Sequence, residues 1–137
     1  MSQPFEIKSQ NSLDAANELL QKAFYNSSVH CSYYGVYQFM LHVLYEELGG
    51  NKQADDAQLK DSRSGGSHEA TINKITVWLS NQKVLPRAAM DFADEIYRLK
   101  RQRKQADYEV KMFAFKEANK SHTQAQSLIN FLKQTLS

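Results

Sequence analysis

The sequence predicts an all-α protein, an up-and-down bundle of four long helices plus a shorter one. Three observations predict it. Apolar residues recur at three- and four-residue spacing almost throughout. Helix breakers are scarce, with five Gly and two Pro in 137 residues. No stretch alternates apolar and polar residues as a half-buried strand would, and no internal repeat is present. At this length a single domain over residues 1–137 is expected, large enough to bury a core.

The first helix has the stripe Leu13, Ala16, Leu20 and Ala23, with Asn11 or Ser12 as its cap. Asn26 to Ser28 is the expected break. The second helix carries Tyr33, Tyr37, Met40, Leu41, Leu44 and Leu48 and stops at Gly49 and Gly50. Gly35 lies inside it, where Gly costs about 1 kcal/mol against Ala, so it marks a close helix contact. Residues 49–66 are mostly polar and read as a loop. Ser67 then caps the shorter third helix, with Glu69 in its first turn and Ile72, Ile75 and Leu79 on one face. Pro86 suits the first turn of a fourth helix with the stripe Leu85, Ala89, Phe92, Ile96 and Leu99. A last helix starts near Lys116 and carries Ala118, Ala125, Ile129, Leu132 and Leu136.

Composition excludes several classes. The chain is 42% hydrophobic and 23% charged, ordinary for a globular protein. No apolar run is long enough to span a bilayer, so no membrane partner is expected. Residues 1–10 lack a basic start followed by an apolar run, so no signal peptide is expected. The single cysteine, Cys31, rules out an internal disulfide and fits a cytoplasmic location. A net charge of +2 is too small for wholesale attraction to nucleic acid. The basic residues are concentrated in the second half, and a local patch is what steers an anionic partner.

That patch is Arg98 to Lys104, "RLKRQRK", with five basic residues in seven. Extending the fourth stripe through Phe92, Ile96 and Leu99 leads to Arg103 and then Asp107. Arg103 therefore continues the inward line, and a half-buried charge needs a partner. Spacing leaves two readings open. One is an Arg103–Asp107 pair that closes the helix, with Tyr108 packing beneath. The other is an Arg held at a cleft, with Arg98, Lys100, Arg101 and Lys104 nearby to hold phosphates.

The remaining candidates are weaker. There are four histidines, His30, His42, His68 and His122. His42 and Glu46 are four residues apart, but no second pair with ligand spacing exists, so an ordinary surface pair is expected and no metal site. His68 sits at a helix start, where a phosphate could meet free amides, or is simply a polar residue beside a cap. Cys31 reads as a buried thiol. Tyr33, Tyr34, Tyr37 and Tyr45 could stack on bases where exposed, but Tyr33 and Tyr37 lie on the core stripe. No Gly-rich phosphate loop, Cys-x-x-Cys pair or nucleophile elbow is present, and no cofactor is expected.

The segments "HCSYYGVYQFMLHVL" (His30 to Leu44), "GGSHEATINKI" (Gly65 to Ile75), "RKQADYE" (Arg103 to Glu109) and "ANKSHTQAQSLINFLKQTL" together resemble HEPN domains, in order and spacing. The third resembles the Arg-x-x-Ala-Asp-Tyr signature of a bacterial branch. The resemblance implies a helical bundle, a homodimer, and a toxin–antitoxin or defence setting beside a nucleotidyltransferase partner. It also implies a metal-independent RNase that uses an Arg and a His a few residues apart. Arg103 matches that Arg, and Asp107 stands near where the His would be. Metal-free cleavage through a ribose hydroxyl needs a group that passes a proton near neutral pH, and an Asp paired with an Arg is a poor one.

Two functions follow as expectations. The first is an RNA- or nucleotide-binding protein that lacks the standard Arg/His mechanism, its cleft lined by Arg98, Lys100, Arg101, Arg103, Lys104 and His68. Arg103, Asp107 and Tyr108 are the only candidates for any altered catalysis. The alternative is a protein-interaction module that binds a nucleotidyltransferase-type partner without nucleic acid.

Overall fold

The computed structural model describes residues 3–50 and 66–137. Residues 51–65, most of the polar loop expected over 49–66, lie outside the described residues. Among the described residues there are five α-helices and no strand: α1 (Pro4–Gln21), α2 (Tyr25–Leu41), α3 (Ser67–Ser80), α4 (Pro86–Tyr108) and α5 (Phe115–Leu136). A π-helical turn, His42–Glu47, continues α2. No helix among them is long and apolar enough to cross a membrane.

The first helix begins at Pro4, well before the expected cap at Asn11 or Ser12. Pro at the first position and Glu6 in the first turn are ordinary start signals. The apolar stripe does not reveal this half because its buried position is a serine. Ser9 Oγ donates to the Gly35 carbonyl oxygen at 2.6 Å. A Cβ on Gly35 would stand 3.0 Å from Leu13 Cδ2, so the glycine does mark a close approach of α1 to α2.

The break between these helices falls at residues 22–24, where Ala23 takes a φ of 66°. Ala23 is thus outside the stripe expected of it. Asn26 to Ser28 sit inside α2, and their polarity serves tertiary contacts. Ser28 Oγ donates to the Ala16 carbonyl at 2.7 Å. The expected stop at Gly49 holds, with a φ of 75° that glycine adopts without strain.

α2 is the central element, packed along α1 and against α4 and α5, while α3 lies on α4. The core joins Tyr33, Val36 and Met40 of α2, Ile72 and Leu79 of α3, Phe92, Ile96 and Leu99 of α4, and Ile129 and Leu132 of α5. Burying each such side chain contributes about 1.5–3 kcal/mol. Leu85 does not join them. It is the extended residue before α4 and points to solvent. Ser67 is not the cap of α3 but its first residue; Gly66 precedes it in extended conformation.

Candidate functional site

The inward stripe of α4 changes character after Leu99. Lys100 and Arg103 remain buried, 8% and 7% exposed. The Arg103 guanidinium carbon lies 5.3 Å from the centre of the Tyr33 ring and 5.6 Å from that of Tyr34. Among the described residues its one ion pair is with Asp107, at 3.7 Å, which is too long for a hydrogen bond. Its Nε has no hydrogen-bond partner among them. The helix-closing pair read from spacing therefore exists, yet it leaves the guanidinium with donors to spare. Tyr108 does not pack beneath it. It is the last residue of α4 and mostly exposed, its ring centre 6.0 Å from the guanidinium carbon.

Asp107 also meets a histidine. His30 Nδ1 is 2.8 Å from Asp107 Oδ2, across 77 residues of sequence. A carboxylate can only accept, so Nδ1 carries the hydrogen, and in the neutral ring Nε2 is then the acceptor. The His30 side chain is 44% exposed and the Asp107 side chain 18%. Both line an open cavity of about 450 Å³, together with Asn26, Ser27, Cys31 and Tyr108. Cys31 is half-buried rather than buried, and burial, then the charge of Asp107, push its thiol up. It is no ready nucleophile.

Asn26 fixes this end of α4. Its amide nitrogen donates to the carbonyls of Ala106 (3.1 Å) and Lys111 (2.9 Å), and its oxygen accepts from the Phe113 amide at 2.8 Å.

On the other side of Arg103 stands His68, the second residue of α3. Burial pushes the Tyr33 hydroxyl up, so it keeps its proton. It donates to His68 Nδ1 at 2.7 Å, which places the imidazole hydrogen on Nε2. The His68 ring stacks on Tyr37 with centres 4.1 Å apart. Burial, followed by the charges of Arg103, Lys100 and Lys104, pushes His68 down to about 4. Burial also lowers Lys100, whose only ion pair among the described residues is with Glu69 at 3.7 Å. A cavity of about 270 Å³ is lined by Glu69, Tyr97, Lys100, Arg101 and Lys104.

Of the residues read as phosphate-binding, the structure thus sets Arg103, Lys100 and Lys104 within electrostatic reach of His68, and Arg101 beside Lys100 and Lys104 in the wall of that cavity. Arg98 is exposed and, two residues before Lys100, lies about 160° around the helix from it. Sequence reasoning missed His30 as a neighbour of Asp107. The only signal was its place in the tyrosine-rich segment.

The fourth cluster is structural. His42 is buried rather than a surface residue, with Nδ1 2.7 Å from Glu46 Oε2 and Nε2 facing Glu47 (3.3 Å) and Glu6 (3.7 Å). Glu46 also accepts the Phe5 amide at 2.7 Å, tying the start of α1 to the π-helical turn. No group of three or more His, Cys, Asp or Glu among the described residues could hold a metal ion. Comparison of the chain with protein-family models, with curated proteins and with solved structures gives no match.

Proposed function

We propose that this chain is an HEPN-like protein that binds RNA or a nucleotide along the last three turns of α4. In this reading it acts as a homodimer in a toxin–antitoxin or defence setting, without the standard Arg/His motif. One observation carries the binding: Arg103, buried against two tyrosine rings, with an Nε unpartnered and a single long ion pair among the described residues. A buried cation left under-compensated is costly unless it serves a ligand, and a guanidinium is well shaped for phosphate oxygens. Lys104 and Arg101 extend the positive surface into solvent, and half-buried Tyr34 and Tyr37 add rings on which a base can stack.

The test is fluorescence anisotropy of a labelled single-stranded RNA at two salt concentrations, with wild type and Arg103→Met. Each phosphate contact contributes about −0.7 to the slope of log affinity against log salt. The variant should bind at least tenfold more weakly, with a shallower slope. Unchanged affinity and slope would refute the reading. No binding by wild type at low salt would move the assignment to the protein-interaction module.

The His30–Asp107 hydrogen bond favours a second reading, RNA cleavage. In it, His30 Nε2 takes the proton of a ribose 2′-hydroxyl, the 2′-oxygen bonds to phosphorus, and the 5′-oxygen departs and takes a proton from water. The same RNA, incubated and analysed for a 2′,3′-cyclic phosphate end, decides it. Intact RNA leaves binding alone.

A further inference from the structure

We propose that Lys100, Arg101 and Lys104, with Arg103 beside them, form a subsite for a terminal phosphate. The ligand is the monoester at the end of an RNA strand or of a mononucleotide, and not a diester within a chain. This rests on the reading of the α4 face as RNA- or nucleotide-binding and names the group it selects.

Charge is the first argument. Among the described residues, four cations (Lys100, Arg101, Arg103, Lys104) share two carboxylates, Glu69 and Asp107, each 3.7 Å from its partner. Two positive charges are left without a partner there. A diester carries one negative charge, whereas a phosphate monoester carries about −1.5 to −2 near neutral pH. The second argument is placement. Lys100 and Lys104 are one helical turn apart, about 6 Å along the axis, so both ammonium groups can reach one phosphate. They line the same cavity, with Tyr97 and Glu69 as its other walls. Tyr97 is held by a hydrogen bond from its hydroxyl to Asn73 Oδ1 at 3.4 Å.

The third argument is that Lys100 is buried while its carboxylate partner is not. The Lys100 side chain is only 11% exposed, whereas that of Glu69 is 47% exposed. A buried ammonium with so loose a partner is an anion site waiting for a better one. Glu69 is the group the phosphate would displace. His68 lies close by: burial, then the charges of Arg103, Lys100 and Lys104, disfavour a further positive charge on it, and Tyr33 donates to its Nδ1. Its Nε2–H is then a neutral donor on the α3 side. Tyr33, Tyr34 and Tyr37 of α2 bring no formal charge to that pocket.

The experiment compares two RNA oligonucleotides of one sequence, one with a 5′-phosphate and one with a 5′-hydroxyl, by anisotropy at low salt. Wild type, Lys100→Gln and Glu69→Gln are measured. The inference expects the 5′-phosphate to bind at least tenfold tighter to wild type. Lys100→Gln should erase that preference, and Glu69→Gln, which removes the competing carboxylate, should enlarge it. Competition by a 5′-mononucleotide then separates the two sources. Displacement at equal concentration identifies a free nucleotide as ligand, and weak displacement identifies a strand end. Equal binding of both oligonucleotides by wild type would overturn the subsite and leave the RNA reading standing. If neither oligonucleotide nor the mononucleotide binds, both fail.

Discussion

The two halves of α4 share one helix and differ in what they bury. From Ala89 to Leu99 the inward residues are apolar and meet α3 and α5 in a closed core. From Lys100 to Asp107 the fully buried residues, Lys100 and Arg103, are charged, and this stretch meets tyrosines, a neutral histidine and cavities open to solvent. The first half stabilises the fold through the area it removes from water. The second contributes less of it, and Arg103 keeps an Nε with no hydrogen-bond partner among the described residues. Apolar packing and buried charge are thus separated along a single element, in consecutive stretches.

This contrast can be broken from either side. Ile96→Ala, in the apolar half, should lower unfolding free energy by about 2–5 kcal/mol. Arg103→Met, in the charged half, should change it by about 1 kcal/mol or less, because a well-packed apolar replacement of a buried ion often costs little. Asp107 keeps His30 as its partner in that variant. Urea titration of both variants tests the pair of values. Equal losses would mean that Arg103 is as structural as Ile96.

A smaller effect sharpens the same contrast through pH. His68 sits near 4 in the folded chain against its ordinary 6.5. The unfolded chain therefore binds a proton that the folded chain refuses between those values. Stability from this group is complete above about pH 6.5 and is lost as pH falls towards 4. Each tenfold difference in proton affinity is worth about 1.4 kcal/mol, and half-exposure reduces the total to about 2 kcal/mol or less. His68→Asn, which keeps an acceptor for Tyr33, should flatten stability over this window relative to wild type. Parallel pH profiles from thermal melts would show that His68 is not held neutral.

Much of the apolar half was legible. Ala89, Phe92, Ile96 and Leu99 follow helical spacing and are buried, and the stripe points on to Arg103, which is buried too. Spacing carries this information because it depends on one helix alone. Lys100 was less legible. Helical spacing sets it beside the inward line, yet its long stem lets it lie buried with its ammonium toward Glu69. The first half of α1 was hidden because Ser9 fills a core position and satisfies its hydroxyl on Gly35. Asn26 looked like a break and is a clamp. The pairing of His30 with Asp107 could not be read, because no local pattern links residues on α2 and α4. What the sequence conceals is polar and tertiary, which describes most of the candidate site.

The Asn26 clamp has a kinetic consequence. Its three hydrogen bonds join residues 80, 85 and 87 positions apart, whereas Ser28 reaches Ala16 across only 12. Long loops are closed late, because their entropy must be lost before the contact rewards it. The expected order is therefore an early α1–α2 hairpin and a late docking of the α4–α5 connection. Pulse-labelled hydrogen exchange should find the Phe113 amide protected after the amides of α1 and α2, and simultaneous protection would refute the order. On this schedule a chain still emerging during synthesis owns a hairpin but not yet the buried Arg103 of α4. The charged end of α4 comes into being only when the last helix arrives.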